Sequence, residues 1–285
     1  QPTLHDPFSA TVLQYQGKTF LAIRGTRGLI DIAVSDALGI VFQGRAADQA
    51  ISLYRYWREL TTPVGAPVVY SADEQRFLAS LNGGLFLPAP LSIVSTFLQR
   101  FDLQHDVGLG VLAPDARVEV VGHSLGGHLA QMFAVMFPQN IDHVLTYNGA
   151  GMGGVTISLA NRLLAALGAN TGLSGTNFVN IVADHGLDFT AGFGTLRGPV
   201  ERVFNELQGN PIGNHYIAGL TDSLALYDLF SALDPAISNR SIRTILDSAS
   251  ALPPNSIENT LDALRRAFRA SSDPVPEATA LDRNS

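Results

Sequence analysis

The chain has 285 residues, 46% of them hydrophobic and only 15% charged, which suits a core-rich globular protein and excludes global disorder. Its net charge of -7 leaves no broad electrostatic reason to bind nucleic acid or an anionic membrane surface, so any lipid contact has to be apolar. With no cysteine present, disulfide staples, thiolate metal sites and a cysteine nucleophile are all excluded.

No apolar run reaches the roughly eighteen residues of a spanning helix, and the start "QPTLHDPFSA" lacks a basic stretch followed by an apolar one. No transmembrane segment is expected. A chain beginning without Met reads as a processed protein or as a segment of a larger polypeptide.

The first unit in chain order is "TVLQYQGKTFLAIRGT", two alternating arms around Gln16-Gly17-Lys18, which predicts a β-hairpin whose second arm ends at Arg24-Gly25-Thr26. In "RAADQAISLYRYWREL", Ala47, Ile51, Tyr54 and Trp57 recur at helical spacing until Pro63 stops the helix. A short strand is expected from Pro67 to Tyr70. Ser71 and Glu74 then form a capping-box pattern that opens the helix "ADEQRFLASL". The apolar but Gly- and Pro-broken "NGGLFLPAPLS" predicts a surface-lying loop, and "IVSTFLQRF" a helix.

From Arg117 the pattern becomes strand, turn, apolar helix "HLAQMFAVMF" and strand "HVLTYNG", then helix "SLANRLLAAL" and strand "TNFVNIVAD". This is the alternation of βαβ units in a parallel sheet. After His215 only helices are expected: "TDSLALYDLF", "SIRTILDSASAL" and "SIENTLDALRRAFRA". The last is capped by Asn255 and Glu258, with Ile257, Leu261, Leu264 and Phe268 on one docking face. Residues 271–285 have the composition of a disordered tail.

Chemistry concentrates in "VEVVGHSLGG". Gly-x-Ser-x-Gly between a strand and a helix describes a sharp turn that lifts a serine hydroxyl out of a sheet, with Gly122 and Gly126 flanking because a Cβ there would collide with neighbouring backbone. The following helix aims its N-terminus at the site, and the Leu125 N–H can stabilise an oxyanion. Ser124 needs a base and an acid to orient that base. In hydrolase-type sheets these follow in the order Ser, Asp or Glu, His, at strand ends.

His143, His185 and His215 are the histidines far enough along the chain. Asp184 ends a strand, and His215 lies in the glycine-rich "GNPIGNHYIAG", so these two are expected as acid and base. Asp188 is a rival acid and His185 a rival base, while His123 and His128, within the elbow and its helix, suit packing or a supporting hydrogen bond.

With "TFLAIRGT" and "VEVVGHSLGGHLAQMFA" about a hundred residues apart in one chain, residues 11–230 resemble the fungal-type (class three) lipase family of α/β-hydrolases. The resemblance implies a mostly parallel central sheet flanked by helices, with a catalytic domain over 1–234, an all-helical C-terminal extension over 235–270, and the tail. It implies the triad Ser124, Asp184 and His215, a second oxyanion donor in Thr26 beside Leu125, and an Asp that braces the oxyanion loop, which falls on Asp36. The N-terminal helix usual in those lipases is missing, and "HGLDFTAGFG" replaces their Pro-rich stretch after the acid.

"NHYIAGLTDSLALYDLF" and the closing helices resemble lipase-type domains of large secreted bacterial proteins, which implies a secreted, extracellular location. "GLIDIAVSDALGIVF" (28–42) lies where that lipase family carries its lid, although its composition suits a core helix or strand equally. "GGLFLPAP" is a second candidate cover for the pocket.

The function expected is a serine carboxylic ester hydrolase, a lipase or esterase cleaving acyl esters of lipids such as acylglycerols. Phospholipase A1 is the variant with the same triad. A non-catalytic hydrolase-fold domain of a larger secreted protein is the alternative of another class. The partner expected is a lipid or ester substrate, at a lipid-water interface where the substrate is aggregated. No cofactor is required, and no metal is expected, since neither HExxH nor Cys-rich spacing occurs; nothing indicates a structural calcium. A histidine base titrating near about 6.5 predicts activity that falls in acid.

Overall fold

The computed structural model describes residues 8–25, 38–83, 103–152, 177–184, 196–205 and 215–249. Two strands, β1 (Ala10–Tyr15) and β2 (Lys18–Ile23), form the expected hairpin, with Ala10 opposite Ile23 and Tyr15 opposite Lys18. The two-residue turn has φ 49 at Gln16 and φ 77 at Gly17, the left-handed pair that matches strand twist. β3 (Val118–His123) and β4 (Ile141–Tyr147) follow in parallel: Ala22 pairs with Val121, and Val121 with Leu145. A bulge at Val118/Glu119 interrupts the β3–β4 register.

β5 (Phe178–Ala183) and β6 (Val200–Val203) complete a sheet of order β1-β2-β3-β4-β5-β6. The Asn180 N–H donates to Pro199 O at 3.1 Å and the Asp184 N–H to Val203 O at 2.9 Å, one constant offset, as parallel strands require. The sheet is therefore mixed and mostly parallel, with helices beside it, an α/β arrangement.

The chain divides into two compact units, one comprising Gln1–Asn180 and Thr190–Pro199, the other Ile181–Phe189 and Val200–Ser285. In the first, α1 (Leu38–Thr61), α2 (Ala72–Gly83) and α3 (Leu125–Met136) accompany β1–β4. All twelve residues of α3 are buried, because one side of the helix lies on β3 and β4 and another meets α1. Leu21, Val120 and Val144 of the sheet share this core with Leu129, Met132 and Phe133, and Trp57 of α1 meets Phe133 edge-on at 4.9 Å between ring centres.

The expected capping box opens α2: the Ser71 N–H donates to Glu74 Oε2 at 2.7 Å and the Glu74 N–H to Ser71 Oγ at 3.2 Å. A charged network ties α1 to the segments around it. Arg55 pairs with both oxygens of the buried Asp106, which also accepts from the Tyr70 hydroxyl at 2.6 Å. Tyr54 and Arg58 both donate to Glu74.

The second unit holds the end of β5, β6, α4 (Ile217–Leu233) and α5 (Asn239–Ala249). Leu220, Leu226, Ile242 and Leu246 are buried, and the Tyr227 hydroxyl accepts from the Phe204 N–H at 3.2 Å.

Two elements differ from the sequence reading. Residues 67–70 form no strand, only an isolated bridge between Pro67 and Val107, because their one partner is a loop and not a sheet. β6 was not foreseen: it has four residues, Val200, Glu201 and Arg202 are exposed, and no alternation marks it. The stretches "IVSTFLQRF", "SLANRLLAAL" and "SIENTLDALRRAFRA", and the tail 271–285, lie outside the described residues, and of "GGLFLPAP" only Gly83, the last residue of α2, is described. Of residues 28–42, only 38–42 are described, as the first turn of α1.

Candidate active site

Ser124 occupies the turn between β3 and α3 with φ 60 and ψ -124, a conformation that a non-glycine residue adopts only under strain. Close approach explains the glycines on either side. A Cβ on Gly122 would lie 2.1 Å from Gly126 O, and one on Gly126 would lie 2.2 Å from Ile23 O, both fixed backbone atoms. The strand-to-helix turn that Gly-x-Ser-x-Gly demands is therefore present with its steric reason.

A serine at a helix N-cap ordinarily sits in the β region and caps an N–H with its hydroxyl. Ser124 does neither: it is 1% exposed, makes no cap bond, and its Oγ has no hydrogen-bond partner among the described residues. The Gly127 and His128 N–H groups both donate to Ser124 O, at 3.0 and 3.3 Å, so the helix's own bonding begins there. The N–H groups of Leu125 and Gly126 lie ahead of it, at the positive end of the helix dipole.

The loop after β4 clamps the turn. The Ser124 N–H donates to Tyr147 O at 3.1 Å, and the Ala150 N–H donates back to Ser124 O at 3.2 Å. Gln131 donates to Ala150 O at 2.9 Å, and His128 Nδ1 lies 3.1 Å from Gly151 O. Within this loop Asn148 is buried and takes φ 44, like Ser124 a non-glycine residue at positive φ. The sequence reading did not single out residues 147–151; their signal is the small-residue run "NGAG" directly after a strand. His128 is the supporting residue expected of it. Burial drives its pKa down to about 4 against the opposing pull of the Gly151 carbonyl, so the ring is neutral at ordinary pH.

The end of β2 also reaches the turn. A Cβ on Gly25 would meet His123 O at 2.7 Å and the Ser124 Cβ at 3.2 Å, so the residue before Thr26 lies against the serine. Thr26 and Asp36 themselves are outside the described residues, as are the rivals His185 and Asp188. His143 stands apart from these residues, on β4, where its Nδ1 lies 3.1 Å from Glu119 Oε2. The single lysine, Lys18, donates to the same Glu119 at 2.8 Å, and this bond holds its pKa above the usual lysine value.

Asp184 and His215 belong to the second unit. Asp184 directly follows β5, its N–H fixed by Val203 O, and His215 lies just before α4. The Asp184 side chain is 7% exposed and ion-pairs with Arg243 of α5. The contact is one of charge and not a well-angled hydrogen bond, since Asp184 Oδ2 accepts none among the described residues. Tyr227 of α4 feels both charges; its pKa is raised, first by burial, with Arg243 opposing and Asp184 adding. Nothing in the sequence around Arg243 marks it, because the pairing joins positions far apart in the chain.

Among the described residues no three His, Asp or Glu side chains gather as metal ligands would, and no helix is long and apolar enough to cross a membrane. Compared with protein-family models and with curated proteins, the chain matches none.

Proposed function

We propose that this chain is a serine carboxylic ester hydrolase of the α/β-hydrolase type, acting on acyl esters of lipids such as acylglycerols. One observation carries the reading: Ser124 sits at φ 60 and ψ -124 on a strand-to-helix turn, its hydroxyl bonded to none of the described residues, where a capping serine would take another conformation and form a bond. The order Ser124, Asp184, His215 and the Arg24-Gly25-Thr26 strand end support it.

In this mechanism His215 takes the Ser124 proton as Oγ attacks the ester carbonyl, and the Leu125 and Thr26 N–H groups hold the oxyanion. The bond to the alkoxy group breaks and His215 passes the proton to the departing alcohol, leaving an acyl-serine. Water, deprotonated by His215, attacks the acyl carbon, and the acid leaves as Ser124 regains its proton. Asp184 orients His215 and balances the imidazolium. The reaction needs no metal or cofactor. A secreted location, within a larger polypeptide, fits the resemblance to domains of large bacterial proteins.

The near-complete burial of Ser124 favours a second reading, a non-catalytic hydrolase-fold domain of a larger secreted protein. One experiment separates the two. The parent chain is expected to hydrolyse p-nitrophenyl esters and to be labelled by a fluorophosphonate, with both lost in Ser124→Ala. Turnover that survives the substitution overturns the nucleophile assignment, and a parent that is neither active nor labelled supports the binding domain. Fatty acid release from triolein against phosphatidylcholine distinguishes a lipase from a phospholipase A1.

A further inference from the structure

Asp184 carries the orienting role in the mechanism above, yet its nearly buried carboxylate is ion-paired with Arg243 of α5, a helix beyond the hydrolase pattern. A buried charge left alone is costly, and a partner on one side of a carboxylate restricts how it can turn. The guanidinium meets Oδ2. From α4, Tyr227 faces the same pair, with its hydroxyl committed to the Phe204 N–H.

We propose that Arg243 is a positioning residue for the reaction: through its ion pair it fixes the rotamer of Asp184 and sets how much negative charge that carboxylate presents to His215. The inference rests on the triad reading. It makes α5 part of the working site and not an appendage to it. The guanidinium offsets part of the Asp184 charge, so the imidazolium of His215 is less stabilised than it would be beside a lone carboxylate. Arg243 from α5 meets Asp184 directly, and Tyr227 from α4 feels the charge of both.

The test follows the pH dependence of Ser124 labelling by a fluorophosphonate, whose rate constant reads only folded molecules. In Arg243→Gln the imidazolium forms more readily, and the acid limb is expected to move up by about half a unit to one unit. Arg243→Lys restores the charge and is expected to return the limb to the parent position. An unmoved limb in Arg243→Gln, with the parent labelled normally, overturns the proposal. So does a limb in Arg243→Lys that stays with Arg243→Gln.

A double-substitution comparison covers the case in which Arg243→Gln alone fails to fold, because Asp184→Asn with Arg243→Gln leaves no buried charge unpaired. In the Asp184→Asn background, adding Arg243→Gln is expected to change the labelling rate less than about twofold, since Arg243 acts through the carboxylate. A further tenfold loss there marks a merely structural role and overturns the proposal. A parent that is never labelled at Ser124 is a different outcome: it removes the triad reading and this proposal with it.

Discussion

His128 Nδ1 lies 3.1 Å from the carbonyl oxygen of Gly151. A carbonyl only accepts, so Nδ1 carries the hydrogen and Nε2 is the unprotonated nitrogen of a neutral ring. The bond ties the first turns of α3 to the loop that clamps Ser124, and the burial of the ring makes this region sensitive to acid. The folded pKa is about 4 against 6.5 for an ordinary histidine, so between these values the unfolded chain binds more protons. The stabilisation is full above pH 6.5, fades as pH falls towards 4, and amounts to about 3 kcal/mol. Urea unfolding across this range is expected to show the loss in the parent, and a flatter profile in His128→Gln.

The strain at Ser124 has a stability consequence separate from activity. Glycine accepts φ 60 without a Cβ penalty, whereas alanine keeps it. Ser124→Gly is expected to be about 1 kcal/mol more stable than Ser124→Ala, with both inactive as esterases. Equal thermal midpoints for the two variants would contradict the strained turn.

Gly126 and Gly65 make a contrasting pair. A Cβ on Gly126 meets the Ile23 carbonyl oxygen at 2.2 Å, while one on Gly65 meets nothing within 4 Å but keeps φ 75. Gly126→Ala is expected to cost upwards of about 3 kcal/mol through backbone displacement at the elbow, and Gly65→Ala only about 1 kcal/mol through its dihedral. Chemical denaturation of the two variants measures the difference.

Asp106 is buried with Arg55 on both oxygens and the Tyr70 hydroxyl on one. Asp106→Ala strands the Arg55 charge and is expected to cost about 3 kcal/mol or more. Tyr70→Phe leaves the ion pair intact and is expected to cost about 1 kcal/mol. Denaturant midpoints that fall equally in the two variants would show that the ion pair adds nothing to the hydroxyl bond.

Local signals carried much of the architecture. The hairpin was legible in its alternation and its Gln16-Gly17 turn, α2 in the Ser71 and Glu74 pair, and β3-turn-α3 in the glycine spacing around Ser124, because each is decided by residues a few positions apart. The strand expected at 67–70 reduced to a bridge and β6 went unseen, because membership of a sheet depends on which distant segment supplies the partner hydrogen bonds.

By itself the sequence determined the α/β arrangement and the elbow at Ser124, since hydrophobic period and glycine spacing act over a single turn or strand. Only the tertiary structure decided that Gly25 lies against Ser124, that residues 147–151 clamp the elbow and that Arg243 pairs with Asp184. Those contacts join residues from about 20 to about 100 positions apart, and their energy comes from close packing and charge pairing that no local pattern encodes.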